Sequence, residues 1–167
     1  LLIFDPIFNK FMKVLIRNEY PKIKVDTRKI KQQIGRVLSS LDSNEYEISI
    51  LFIGDQGIRD LNQRFRSVDR STDVLSFPQL SEGITEISGT LILGDVAISL
   101  ETALRQTKKH GLSLEEELTL LLIHGILHLL GYDHEVSDHE DERMRKKTRE
   151  LFTIIYPEKK LADTCNF

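Results

Sequence analysis

Apolar positions recur along this chain with two periods, and the change from one to the other marks out its elements. The run Lys13-Val14-Leu15-Ile16-Arg17-Asn18 reads as a first strand. Asp26 is placed to cap a helix reaching about Leu41, because Ile30, Ile34, Val37, Leu38 and Leu41 follow at helical spacing. From Tyr46 to Ile53 the pattern alternates, with Tyr46, Ile48, Ile50 and Phe52 on one face. The other face, Glu47, Ser49, Leu51 and Ile53, turns apolar toward its end, as in a strand that becomes buried on both sides. Gly54 and Asp55 then open a helix through about Arg66.

Asp73 to Phe77, just before Pro78, is a short strand, and the polar stretch Gln79 to Ser88, containing Gly83, is a loop. Gly89 to Gly94 forms the next clear strand, and a helix is expected from Asp95 to about Lys109. Two more helices follow, Leu114 to Leu130 and about Asp138 to Ile155. Strands fall early and helices dominate the rest. The class is therefore α+β, with one small mixed sheet covered by helices. Without repeat, linker or low-complexity tract, the chain is expected to form a single domain over residues 12–157, with 1–11 an N-terminal extension and 158–167 a C-terminal tail.

The helix expected from Leu114 differs from the others. Ser113 and Glu116 form a capping box at its start, and its later turns are apolar almost all round, which makes it a buried central helix. Two histidines, His124 and His128, interrupt that surface four residues apart, so their side chains share one face about 5–6 Å apart at Cβ. Gly131 follows where a left-handed residue ends a helix and turns the chain sharply, returning His134 toward the other two. A lone histidine on an apolar face is more often a core residue. Three at chelating spacing, with a glycine at the turn, point to a metal site. Three protein ligands leave a fourth position for water, the mark of a catalytic site, and imidazole ligands suit zinc, one ion per chain, although copper and nickel also take such donors. Asp133 is placed either to orient a ligand histidine or to stabilise the turn.

Composition narrows the class. The 167 residues are 40% hydrophobic and 29% charged, with a net charge of −3, so no global field draws nucleic acid and any such site is local. Basic residues gather at Arg59, Arg64, Arg66 and Arg70, at Lys108 and Lys109, and from Arg143 to Arg149; the last group, interleaved with acids, reads as a solvated helix face. The only cysteine is Cys165, which excludes an intramolecular disulfide and favours a cytoplasmic setting. Residues 1–11 make a poor signal peptide, and Met12 is the expected natural start.

Position 125 is informative. Metzincin peptidases place a glutamate after the first histidine of this spacing, to take a proton from the attacking water, and here that residue is Gly125. The glycine leaves room beside the metal or permits close packing. The segment His124-Gly125-Ile126-Leu127-His128-Leu129-Leu130-Gly131-Tyr132-Asp133-His134 resembles the signature of the YbeY family of bacterial endoribonucleases. A second stretch, Asn62, Phe65, Arg66, Asp69 and Thr72 to Pro78, is similar to the family's other motif, and Leu93-Gly94-Asp95-Val96 to a third.

The resemblance implies a zincin-like fold and a zinc-dependent, single-strand-specific RNA endonuclease. It further implies action on the 3′ end of small-subunit ribosomal RNA and in ribosome quality control. It makes His124, His128 and His134 the metal ligands and Arg66 the functional arginine. Arg66 also suits the chemistry, since a guanidinium binds two oxygens of a phosphodiester at once. The competing expectations are a metzincin-like metallopeptidase and a non-catalytic ribosome assembly factor with a structural metal.

Overall fold

A computed structural model describes residues 13–79, 91–134, 136–162 and 165; the N-terminal extension and most of the expected Gln79–Ser88 loop lie outside the described residues. In chain order the elements are β1 (Lys13–Asn18), α1 (Thr27–Ser40), β2 (Tyr46–Ile53), α2 (Asp55–Arg66), β3 (Val74–Pro78), β4 (Leu91–Ser99), α3 (Leu100–His110), α4 (Leu114–Leu129) and α5 (Asp138–Ile155). The strands form one mixed sheet ordered β1-β2-β4-β3, in which β2 is parallel to both β1 and β4, and β3 runs antiparallel to β4 at the edge. The α+β class with one small mixed sheet is thus observed.

One expectation is corrected. The chain does not turn helical at Asp95: β4 continues to Ser99 and α3 begins at Leu100. Gly94-Asp95 looks locally like Gly54-Asp55, which does open a helix. The difference is tertiary, because Val96, Ala97 and Ile98 lie between β2 and β3 and hydrogen-bond on both sides. Gly94 has φ +148° beside a register shift in the β2–β4 ladder, so the pair marks an irregularity within a strand. A side chain at Gly94 would run into the Phe77 carbonyl of β3 and Leu129 of α4. The cap falls instead to Ser99, whose Oγ accepts from the Thr102 amide at 3.2 Å.

Alternation along the strands feeds two unequal cores. Ile48, Ile50 and Phe52 of β2, with Val96 and Ile98 of β4, pack against α1, α4 and α5 in the main core. The opposite face supplies the buried Ile53, Leu75 and Ala97 and the partly buried Leu51 and Phe77 to a small cluster closed by Ile58 of α2. Helix α4 lies against the sheet and is buried nearly throughout. Its capping box forms as expected: Ser113 Oγ accepts from the Glu116 amide at 3.2 Å, and the Ser113 amide donates to Glu116 Oε2 at 2.7 Å. One turn on, the buried Glu117 carboxylate meets His110 Nδ1 at 2.9 Å, tying the end of α3 to α4. The described part of the tail also packs on the body, with Cys165 buried and Arg149 donating to the Leu161 carbonyl at 3.1 Å. Among the described residues, no helix is long and apolar enough to cross a membrane.

Candidate metal centre

Helix α4 ends in a motif that explains how a third histidine reaches the first two. The Gly131 amide donates to the His128 carbonyl and the Tyr132 amide to the Leu127 carbonyl, both at 3.0 Å, and Gly131 sits at φ +88°. This is the Schellman arrangement, in which a left-handed residue lets the chain reverse over the last turn. The reversal carries His134 back over α4, and ring nitrogens of His124, His128 and His134 all lie within 4.8 Å of one another. The Nε2 atoms of His124 and His128 are 3.1 Å apart, and the ring centroids of the three lie 4.6 to 5.4 Å from each other.

Three imidazoles pressed together cannot all be charged. Burial, then the neighbouring His128 and His134, hold the His124 ring down to about 3. Burial and His134 also lower His128, opposed by a hydrogen bond to the Tyr132 backbone and by the charge of Asp133. Neutral imidazoles with converging lone pairs are the protonation state and geometry that a divalent cation requires. The trio therefore fits a metal ion.

The histidines line a cleft of about 540 Å³, whose opposite wall comes from the end of α2 and from β3. Arg66, exposed at the last position of α2, lines the same cleft and donates to the Ser76 carbonyl at 3.4 Å. Its charge is among the influences that lower His128. The cleft also takes in Thr72, Asp73 and Ser76, which the sequence placed in a motif without assigning them work. Asp73 is firmly held: Oδ1 accepts from the Val74 amide at 2.8 Å and Oδ2 from Gln106 Nε2 at 2.8 Å. Its charge opposes the depression of His124. Asp133 is exposed at the rim.

Of the other basic residues, Arg59 is bound to Asp69 at 2.7 Å, while Arg143, Arg145 and Lys147 pair with acids of α5, as the reading of a solvated face anticipated.

Gly125 is resolved in favour of packing. A Cβ there would stand 2.9 Å from Val96 Cγ1 and 3.0 Å from Ser76 Oγ, and the Ser76 hydroxyl already donates to the Gly125 carbonyl at 3.1 Å. The glycine brings α4 against β3 and β4, and a larger residue would have to displace Val96 or Ser76. A metzincin general base is absent at this position because the residue is glycine, and the close contacts disfavour any larger side chain there.

Known proteins share this fold or much of this sequence. The solution structure of a Thermotoga maritima protein superposes with a TM-score of 0.60 at 25% identity, covering 89% of this chain and 91% of that one. The endoribonuclease YbeY of Syntrophus aciditrophicus is 40% identical over 146 residues, 87% of this chain and 91% of that protein. That of Aquifex aeolicus is 45% identical over 134 residues, 80% and 85% of the two. The endoribonuclease YbeY family profile matches residues 15–155, from within β1 to the end of α5 and including all three histidines, and to that family the chain belongs.

Proposed function

We propose that this chain is a zinc-dependent endoribonuclease specific for single-stranded RNA, acting in the cytoplasm on the 3′ end of small-subunit ribosomal RNA and in ribosome quality control. The carrying observation is that the His124, His128 and His134 nitrogens, within 4.8 Å of one another, open onto the cleft that Arg66 also lines. We further assign residues 12–157 to one catalytic domain of zincin-like type, on the histidine pair of α4 and the third histidine after the glycine turn.

Each residue has a distinct task. The three histidines would hold one zinc ion through their ring nitrogens at the wall of the cleft. When bound, such an ion acidifies a water to a pKa of about 7 and draws charge from a phosphoryl oxygen. Arg66 offers two parallel N–H donors to the nonbridging oxygens of the scissile phosphate, where negative charge grows in the transition state. Asp73, held by its own amide donors, is a fixed negative group on the cleft wall. A purely structural metal is disfavoured by the open cleft beside the trio, and peptide hydrolysis by the closed space at Gly125.

Arg66→Ala separates metal from substrate. The variant should keep its fold and zinc content and lose RNA cleavage by about 10²-fold or more, the scale of removing one transition-state charge partner. Arg66→Lys should recover little, since a point charge does not reproduce the two-pronged contact. Zinc stoichiometry and single-turnover cleavage on one preparation decide it. An unchanged rate would reduce Arg66 to a surface charge, and lost zinc would make its role structural.

A further inference from the structure

The sheet face under α2 carries a second hollow, about 650 Å³ in volume, that the proposed reaction does not use. Leu15, Leu51 and Ala97 of the strands contribute to its lining, and Leu61 and Phe65 of α2 and Phe77 of β3 help to close it. Phe65 is 58% exposed, although its area is large enough to favour burial. The ring is nevertheless held. It meets Phe77 edge-on, centroids 5.2 Å apart at 65°, and the Arg64 guanidinium lies over it at 5.2 Å.

The wall between this hollow and the histidine cleft is one residue thick on both elements. On β3, Ser76 lines the cleft and Phe77 the hollow; on α2, Arg66 lines the cleft and Phe65 the hollow. The contacts that join them, Arg66 to the Ser76 carbonyl and Phe65 to the Phe77 ring, fall on consecutive residues of β3, whose Cα atoms are about 3.8 Å apart. The hollow and the cleft thus adjoin along the end of α2 and the β3 edge.

We propose that the hollow behind Phe65 is a nucleobase subsite: a base adjoining the scissile phosphate leaves the strand, stacks on Phe65 and points toward Phe77. This rests on the endoribonuclease reading and deepens it. The order Arg64-Phe65-Arg66 sets an aromatic ring between two cations, the combination that tracks a single strand by stacking and by charge. That continuity with the catalytic cleft, together with the Arg64 guanidinium over the ring, favours a nucleobase over a protein segment as the occupant, and the polar groups of the hollow, Arg17, Glu19, Gln79 and Asp95, offer both donors and acceptors to a base edge. Stacking on the Phe65 ring, whose edge meets Phe77 and over which Arg64 lies, needs a base with a free face, which a base within a duplex lacks. The subsite therefore supplies a structural cause for single-strand preference, and it tolerates any base because every base has a π-face.

The test is single-turnover cleavage of an unstructured RNA by the metal-loaded chain at increasing enzyme concentration. Phe65→Ala should raise the half-saturating concentration by about 10- to 100-fold, the scale of one lost base–aromatic stack. It should leave the saturating rate, the metal content and the salt dependence near those of the unsubstituted chain. Phe65→Trp should retain affinity, and Phe65→Leu, apolar but without a π-face, should resemble Phe65→Ala. A second arm needs no variant that must fold: a single abasic nucleotide is walked through the substrate. One position beside the cleaved bond should weaken binding to the unsubstituted chain by the same factor, and Phe65→Ala should be indifferent to it. An unchanged half-saturation in Phe65→Ala, a leucine as good as tryptophan, or an abasic walk without a sensitive position would overturn the subsite and leave the endoribonuclease reading standing. Failure of the unsubstituted, metal-loaded chain to cut RNA at all would overturn that reading itself.

Discussion

The two faces of the sheet are made by the same strands, yet they have become different materials. On one face α1, α4 and α5 bury a continuous apolar core, and the polar groups admitted there are few and constrained. His124 is 7% exposed and held neutral, and Ser76 is tied to the Gly125 carbonyl. On the other face α2 covers only the β3–β4 end, the core is small, and Phe65 stands in the open. Dense packing fixes the protonation and direction of ligand side chains, whereas partial cover leaves surface free for something that binds. The proposed metal site and the proposed base subsite are products of this contrast, and they meet where α2 ends beside the edge strand β3.

The hardest blow to the packed side is at its ligands. His128→Ala should lose most bound metal and all metal-dependent cleavage, since two imidazoles without their central partner bind far more weakly. Elemental analysis of the variant checks this, and one ion per chain retained would disprove the site as drawn.

Acidification should reveal the same burial in metal-free protein. The unfolded chain protonates its histidines near the ordinary value of about 6.5, whereas burial and neighbouring rings hold His124 in the fold down to about 3. Between those values the unfolded state binds a proton that the folded state refuses. Stability is then greatest above the ordinary histidine range and declines as pH falls toward 3. His128, also lowered chiefly by burial, adds to the slope with the same sign. Urea midpoints in chelator from about pH 7.5 to about pH 4 measure it. His124→Gln should flatten the profile; a profile already flat would contradict the burial of the ring.

A smaller effect is expected at the joint of helix and sheet. Gly125→Ala sets a methyl against Val96 and Ser76 and should cost about 1–3 kcal/mol by overpacking, although alanine in an open helix gains about 1 kcal/mol over glycine. Denaturant unfolding reads the sign, and a stabilised variant would show that the strands give way easily. The least change belongs to the open face: Phe65→Ala should leave stability within about 0.5 kcal/mol, as for a surface position. A large loss there would mean that the ring is part of the small core.

Much of this architecture is legible in local pattern. Residues three and four apart share a helix face and residues two apart share a strand face, so β2, α1, α4 and α5 follow from periodicity and caps. The histidine trio is legible for the same reason, since its parts lie within one helix turn and one helix-ending glycine. The start of α3 was not, because Gly94-Asp95 has the local chemistry of a helix start, and only the insertion of Val96 to Ile98 between two strands keeps it extended.

The sequence by itself determined the elements apart from the β4–α3 boundary, the chelating spacing and the absence of a glutamate at position 125. The tertiary structure alone decided that Arg66 shares a cleft with the histidines, that Gly125 lets α4 touch the sheet, and that a hollow opens behind Phe65. The physical reason is one of range. Periodicity reports neighbours one turn or one pleat away, while these three facts depend on the order β1-β2-β4-β3, which sets the β3 edge beside the ends of both α2 and α4.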